Sequence, residues 1–308
     1  MTEPVTSARR RDITLDADPA PPPPPTRAQV EVRTHDAHVD HVVTSAVQRT
    51  SRRPSDGEIQ QRIDGVRDAF SGPYTVEGQH VSAPPMFRMN GGYNEAAAKE
   101  HATELDRLTK TSTFPARAGC GGPKGLVKVT QALIDAGRLP PGSPESLSAR
   151  IKQMQWDHGI GVDCAAYTRA AFEAATGRSG TVYGLKGPGM EDFTGLATTN
   201  KANFEQVAVA KARPGDILTL KSTNGEVGHN VIVYANTLVA PGVHRLEVDS
   251  SWGAGTGQLI GGYRRDTWTY DEGTKLWTST NQHVTPNATL VSSEGPADEK
   301  LSGVFRPR

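Results

Sequence analysis

The sequence predicts an α+β fold, with helices in the first part of the folded region and antiparallel strands after it. Two observations carry this. Residues 93–108 contain Asn94-Glu95-Ala96-Ala97-Ala98-Lys99-Glu100, a run of strong helix formers, and residues 125–137 place Leu126, Val129, Leu133 and Ile134 on one helical face. After Thr181 the character changes to glycine-punctuated, β-rich runs that persist to the C-terminus. Helices first and strands later is the order of a fold in which helices cover one face of an antiparallel sheet.

The elements follow in chain order. Residues 1–80 read as a disordered, proline-rich N-terminal arm preceding a domain over 81–308. Pro21 to Pro25 form an unbroken polyproline II spacer, basic Arg9-Arg10-Arg11 and Arg52-Arg53 flank it, and no aromatic residue precedes Phe70. Short amphipathic helices fit 41–48 and, better, 58–70. Such an arm suits docking to a larger delivery assembly, or is simply a solvated tail. His35, His38 and His41 alternate with aspartates, but no second ligand cluster stands beside them in the chain, so a polar surface outweighs a metal site.

A third helix is expected over 143–154. A fourth begins at Cys164, with Asp163 as N-cap and Gly177 as its stop. A cysteine in the first helical turn faces orphan N–H groups and the positive end of the helix dipole, both of which favour the nucleophilic thiolate. A buried structural cysteine is the alternative. Cys120, in the loop-like Gly119-Cys120-Gly121-Gly122, is the rival thiol. With no export signal in view, both are expected free.

Downstream, Arg213-Pro214-Gly215-Asp216 reads as a turn feeding a strand over 217–220. A second β run covers 226–234 and contains His229; a third covers 244–251. A hairpin of these two runs centred near Val239 places His229 opposite Asp249, within reach of a carboxylate–imidazole bond. Cys164, His229 and Asp249 then take the roles of nucleophile, general base and orienting group. Ser250 is the rival third member, but the pleat turns it to the face opposite Asp249.

The order Asp163-Cys164 on a helix, Pro214-Gly215-Asp216 before a strand, and Gly228-His229 leading the next strand resembles the NlpC/P60 superfamily of papain-like cysteine hydrolases. The CHAP amidases are near relatives with the same cysteine-then-histidine order. The resemblance covers roughly residues 150–255. It implies a papain-like fold and hydrolysis of amide bonds in the peptide stems of peptidoglycan, with Cys164 as nucleophile, His229 as base and Asp249 as the third, polar member. The family usually carries Ser-Gly after the cysteine, where this chain has Ala165-Ala166. Trp156 and Trp252 are the candidates to line a substrate groove. The Cys164 N–H is the natural oxyanion donor, and Gln153, Gln155 and Trp156 are candidates for a second donor.

Composition bounds the partners. Thirty-four basic residues balance thirty-four acidic ones, so the chain as a whole is adapted to neither nucleic acid nor an anionic membrane. No apolar run approaches the ~20 residues of a membrane span, and residues 1–30 lack a signal-peptide apolar region. The expectation is cytoplasmic synthesis, with a peptidoglycan substrate reached by lysis or by a phage-like or injection system. A deamidase or acyltransferase acting on a protein target, and a non-catalytic binding module, are the alternatives. Thiol chemistry of this kind calls for no cofactor and no metal, because the histidine supplies the base.

Overall fold

The computed structural model describes residues 53–87, 102–110, 112–186, 196, 200–220, 229–252, 262–279, 289–291 and 303–308. The polyproline run, the histidine cluster and the 41–48 helix lie outside these residues, as does the part of the 93–108 helix before Ala102.

Residues 53–308 form one compact unit. The domain boundary expected near residue 80 therefore falls near Arg53. The reason lies in helix α1 (Asp56–Phe70), where Ser55 and Glu58 close a capping box. Its apolar stripe of Ile59, Ile63, Val66 and Phe70 is buried in the main core, and the hairpin β1 (Tyr74–Val76) and β2 (Gln79–Val81) follows it. Low aromatic content misrepresents this segment; the helical stripe is the better signal.

Among the described residues four further α-helices precede the cysteine: α2 (Ala102–Thr109), the single-turn α3 (Phe114–Arg117), α4 (Pro123–Asp135) and α5 (Leu147–Asp157). Helix α6 (Cys164–Thr176) begins and ends as its caps require. Asp163 Oδ1 accepts from Ala166 N at 2.7 Å, and Gly177 takes the left-handed conformation (φ +68°) open to glycine at little strain.

One antiparallel sheet of eight strands follows, in the order β3-β10-β4-β5-β6-β7-β8-β9. The strands are β3 (Phe204–Val207), β4 (Ile217–Leu220), β5 (His229–Ala240), β6 (Val243–Trp252), β7 (Gly262–Asp271), β8 (Leu276–Ser279), β9 (Thr289–Val291) and β10 (Gly303–Pro307). The architecture is thus α+β with an antiparallel sheet, as the sequence predicts.

Alternation along the strands builds two cores. Ile217, Ile232 and Phe305 face the helices, and Leu218, Val231, Val233 and Val304 face the other way. That second core also takes Val209 and Ala212 from just after β3, and Trp268, Tyr270 and Trp277 from β7 and β8. The second core thus runs along one face of the sheet, from β10 across β4, β5, β6 and β7 to β8.

The long hairpin β5–β6 differs from the expected one in register. Its turn is Pro241-Gly242, with Ala240 opposite Val243, and it carries irregularities at Val233/Ala235 and Leu238/Ala240. Asp249 stands opposite Ile232, three residues along from His229. It is also directly opposite Arg265 on β7, whose guanidinium holds the fully buried carboxylate in two bonds of 2.7 and 3.0 Å. Arg265 reaches on to Asp64 of α1 at 2.7 Å and lies over the Tyr234 ring, and Tyr234 donates to Asp64.

Removing one partner of a buried ion pair strands the other charge, a loss of about 3–5 kcal/mol. Asp249→Ala is expected to lower unfolding free energy by about 3 kcal/mol, the low end, because Arg265 keeps Asp64. Arg265→Ala should lower it more, since among the described residues Arg67, at 3.9 Å, is then the cation left facing the Asp249 carboxylate. Urea titration decides; a loss below about 1 kcal/mol for both variants contradicts the assignment.

Candidate active site

The turn before α6 is clamped from three sides. Val162 N donates to Met86 O at 3.0 Å, Gly161 N to Ala116 O at 3.0 Å and Asp163 N to Gly119 O at 2.8 Å, while Ser251 Oγ of β6 donates to Val162 O at 2.8 Å. The 84–87 segment on one side also presses on β7: a Cβ at Gly262 would lie 2.2 Å from Pro85 O, so the approach requires glycine there. Cys164 is held at a fixed position on the end of a capped helix, against the start of β5.

The sulfur of Cys164 is nearly buried and receives backbone hydrogen bonding from Asn230, the residue after His229, and from Ala165. The structure thus brings the cysteine to the Asn230 backbone, one residue along from His229. His229 Nε2 lies 2.9 Å from Ser250 Oγ. Ser250, not Asp249, is the third polar side chain at the histidine. A register displaced by an odd number of residues exchanges the two faces of β6, which moves Ser250 to where Asp249 was expected. The sequence signal for Ser250 was its place beside Asp249; only the bulged hairpin decides between them.

The electrostatics depart from the helix-dipole expectation. Burial pushes the Cys164 thiol up to about 12, with the Asp163 carboxylate adding to the shift and the backbone N–H groups opposing it. Burial, reinforced by the Arg264 charge, pushes His229 down to about 3. The resting pair is a neutral thiol and a neutral imidazole, because desolvation penalises both ions more than the helix terminus repays. Asp163 itself is raised to about 7 by burial, against hydrogen bonds from Ala166 and Ala165. Cys120 is free and half-buried; burial and the Asp163 charge raise its thiol as well, so it is no activated competitor.

The remaining expected site residues fall as follows. Trp156 is half-buried on α5. Trp252 ends β6 opposite Gly262, and its side chain lies outside the described residues. Gln155 is fully buried, accepting from Met86 N and donating to Thr130 Oγ1, both at 3.2 Å, and Gln153 donates to Asp157. Gln155 is thus committed to the packing of α4, α5 and the 84–87 segment, and Gln153 to a bond within α5. Tyr167 packs in the core against Tyr263. Asp216 of the Pro-Gly-Asp turn accepts two bonds from Arg306 at 2.9 and 2.7 Å and so pins β10 to β4. Among the described residues no group of three or more His, Cys, Asp or Glu side chains is placed to hold a metal ion, and no helix is long and apolar enough to cross a membrane.

Comparison with known protein families, curated proteins and solved structures finds no match to this chain.

Asp163→Asn keeps a good N-cap and removes the charge beside the sulfur. It is expected to lower the thiol pKa and accelerate Cys164 alkylation several-fold at pH 8, measured with Cys120 replaced by Ser. In the parent protein the alkylation rate should rise about tenfold per pH unit from pH 7 to 10, without a plateau, because the thiolate fraction follows the raised pKa. A rate already flat at pH 7 would mean a preformed thiolate–imidazolium pair and contradict the neutral site.

Proposed function

We propose that this chain is a papain-like cysteine hydrolase that cleaves amide bonds, with the peptide stems of peptidoglycan as substrate class. The observation that carries this reading is the seat of Cys164: on the first turn of a capped helix, its sulfur against the Asn230 backbone beside a histidine. The resemblance to the NlpC/P60 superfamily supplies the substrate class, and the α+β architecture with its antiparallel sheet is compatible with it.

In this mechanism His229 takes the Cys164 proton as sulfur attacks the amide carbonyl, since the resting thiol is neutral. The Cys164 backbone N–H, at the helix N-terminus, faces the developing oxyanion. Collapse breaks the C–N bond; the amine leaves with the proton held by the imidazolium, and a thioester remains on sulfur. Water, deprotonated by His229, then releases the carboxylate and restores the thiol.

One observation favours a second reading, a non-catalytic binding module. The thiol and imidazole are both held neutral by burial, and Ala165-Ala166 stands in place of the family's Ser-Gly.

Purified peptidoglycan digested with the protein should yield new amino termini in its stem peptides. Cys164→Ala should lower that rate by at least about a thousandfold, as expected for loss of a nucleophile, with an unchanged circular dichroism spectrum. Cleavage that survives the substitution overturns the mechanism. Wall binding without cleavage by the parent protein selects the binding module, and cleavage or acyl transfer on a protein but not on the wall reassigns the substrate.

A further inference from the structure

We infer that Thr168 and Ser250 form a hydroxyl clamp on the Asn230 carbonyl that fixes His229 in a single tautomer, with the proton on Nε2 and the basic lone pair on Nδ1. The consequence for catalysis rests on the hydrolase reading above; the tautomer itself does not.

Proton counting leads to this assignment. A serine hydroxyl has one hydrogen to give. Ser250 Oγ has three polar neighbours: Asn230 O at 2.9 Å, Ser251 O at 3.3 Å and His229 Nε2 at 2.9 Å. Two of these are carbonyl oxygens, which only accept. If Ser250 gave its proton to the imidazole, its oxygen would sit 2.9 Å from the Asn230 carbonyl oxygen with no hydrogen between them. The proton therefore goes to Asn230 O, and Nε2 is the donor to Ser250 Oγ. A neutral imidazole with its proton on Nε2 carries its lone pair on Nδ1.

Thr168 closes the clamp from the helix side. A threonine within a helix commonly returns its hydroxyl to the carbonyl one turn back. Thr168 instead donates across to Asn230 O at 3.0 Å, from a fully buried position one turn after Cys164. The two hydroxyls occupy both lone pairs of one carbonyl. The β5–β6 pairing ends at Ile232 opposite Asp249, and Ser250 meets Asn230 through its side chain. The nucleophile helix and the base strand are thereby tied at one atom, and Thr168 and Ser250 are positioning residues.

The test is nitrogen NMR of protein labelled with 15N-histidine, near neutral pH, with the His229 signals assigned by difference against His229→Gln. The parent protein should show Nε2 as the protonated nitrogen. Ser250→Ala should give a mixture of tautomers, and Ser250→Thr, which keeps a hydroxyl, should restore the single form. Thr168→Val should loosen the preference and Thr168→Ser recover it. Should the alanine or valine variant fail to fold, the parent spectrum alone decides. A proton on Nδ1 in the parent, or a His229 spectrum unmoved in a folded Ser250→Ala, overturns the inference. If the tautomer holds and no amide is cleaved, the clamp stands and the hydrolase reading fails. If both hold, acylation of Cys164 should slow about ten- to hundredfold in Thr168→Val, as a small misplacement of base and nucleophile does.

Discussion

The buried pair of Asp249 and Arg265 is the constraint on which the site depends. It joins β6 to β7 at opposed positions and, through Asp64, ties that pair to α1. A carboxylate so deeply buried needs its cation at that one register. With Asp249 fixed opposite Ile232 on β5, the pleat leaves Ser250 to meet the histidine. The side chain expected to orient His229 instead holds the sheet in the register that gives the role to its neighbour.

Much of the local structure was legible in the sequence because it is decided by neighbours in the chain. Asp163 and Gly177 mark the ends of the cysteine helix by capping chemistry, and alternation along 217–220 and 244–251 marks strands. The helical stripe of Ile59, Ile63, Val66 and Phe70 was equally visible, but composition drew the boundary of the arm too late. Hairpin register was not legible. It turns on two irregularities and a two-residue turn, whose effect is to slide one strand by a distance that no local pattern records. The role of Gln155 was hidden for a similar reason, since its partners are set by packing against α4 and the 84–87 segment.

Electrostatics were the other part that sequence position could not give. A cysteine at a helix N-terminus suggests an activated thiolate, and in a solvated setting the dipole would provide it. Here burial dominates, and the capping carboxylate that makes the helix start also raises the thiol. The same burial, with Arg264, keeps His229 neutral. In the proposed mechanism proton transfer then accompanies nucleophilic attack, and the orientation of the imidazole, set through Ser250 and Asn230, matters more than a standing charge pair.

The most direct measurement of the central claim is intact-mass analysis of the protein after brief exposure to an activated acyl donor at pH 8, followed by peptide mapping. An acyl group bound as a thioester on Cys164, absent in Cys164→Ala and slow to form in His229→Ala, is the expected result. No adduct, or one confined to Cys120, would contradict a Cys164–His229 hydrolase.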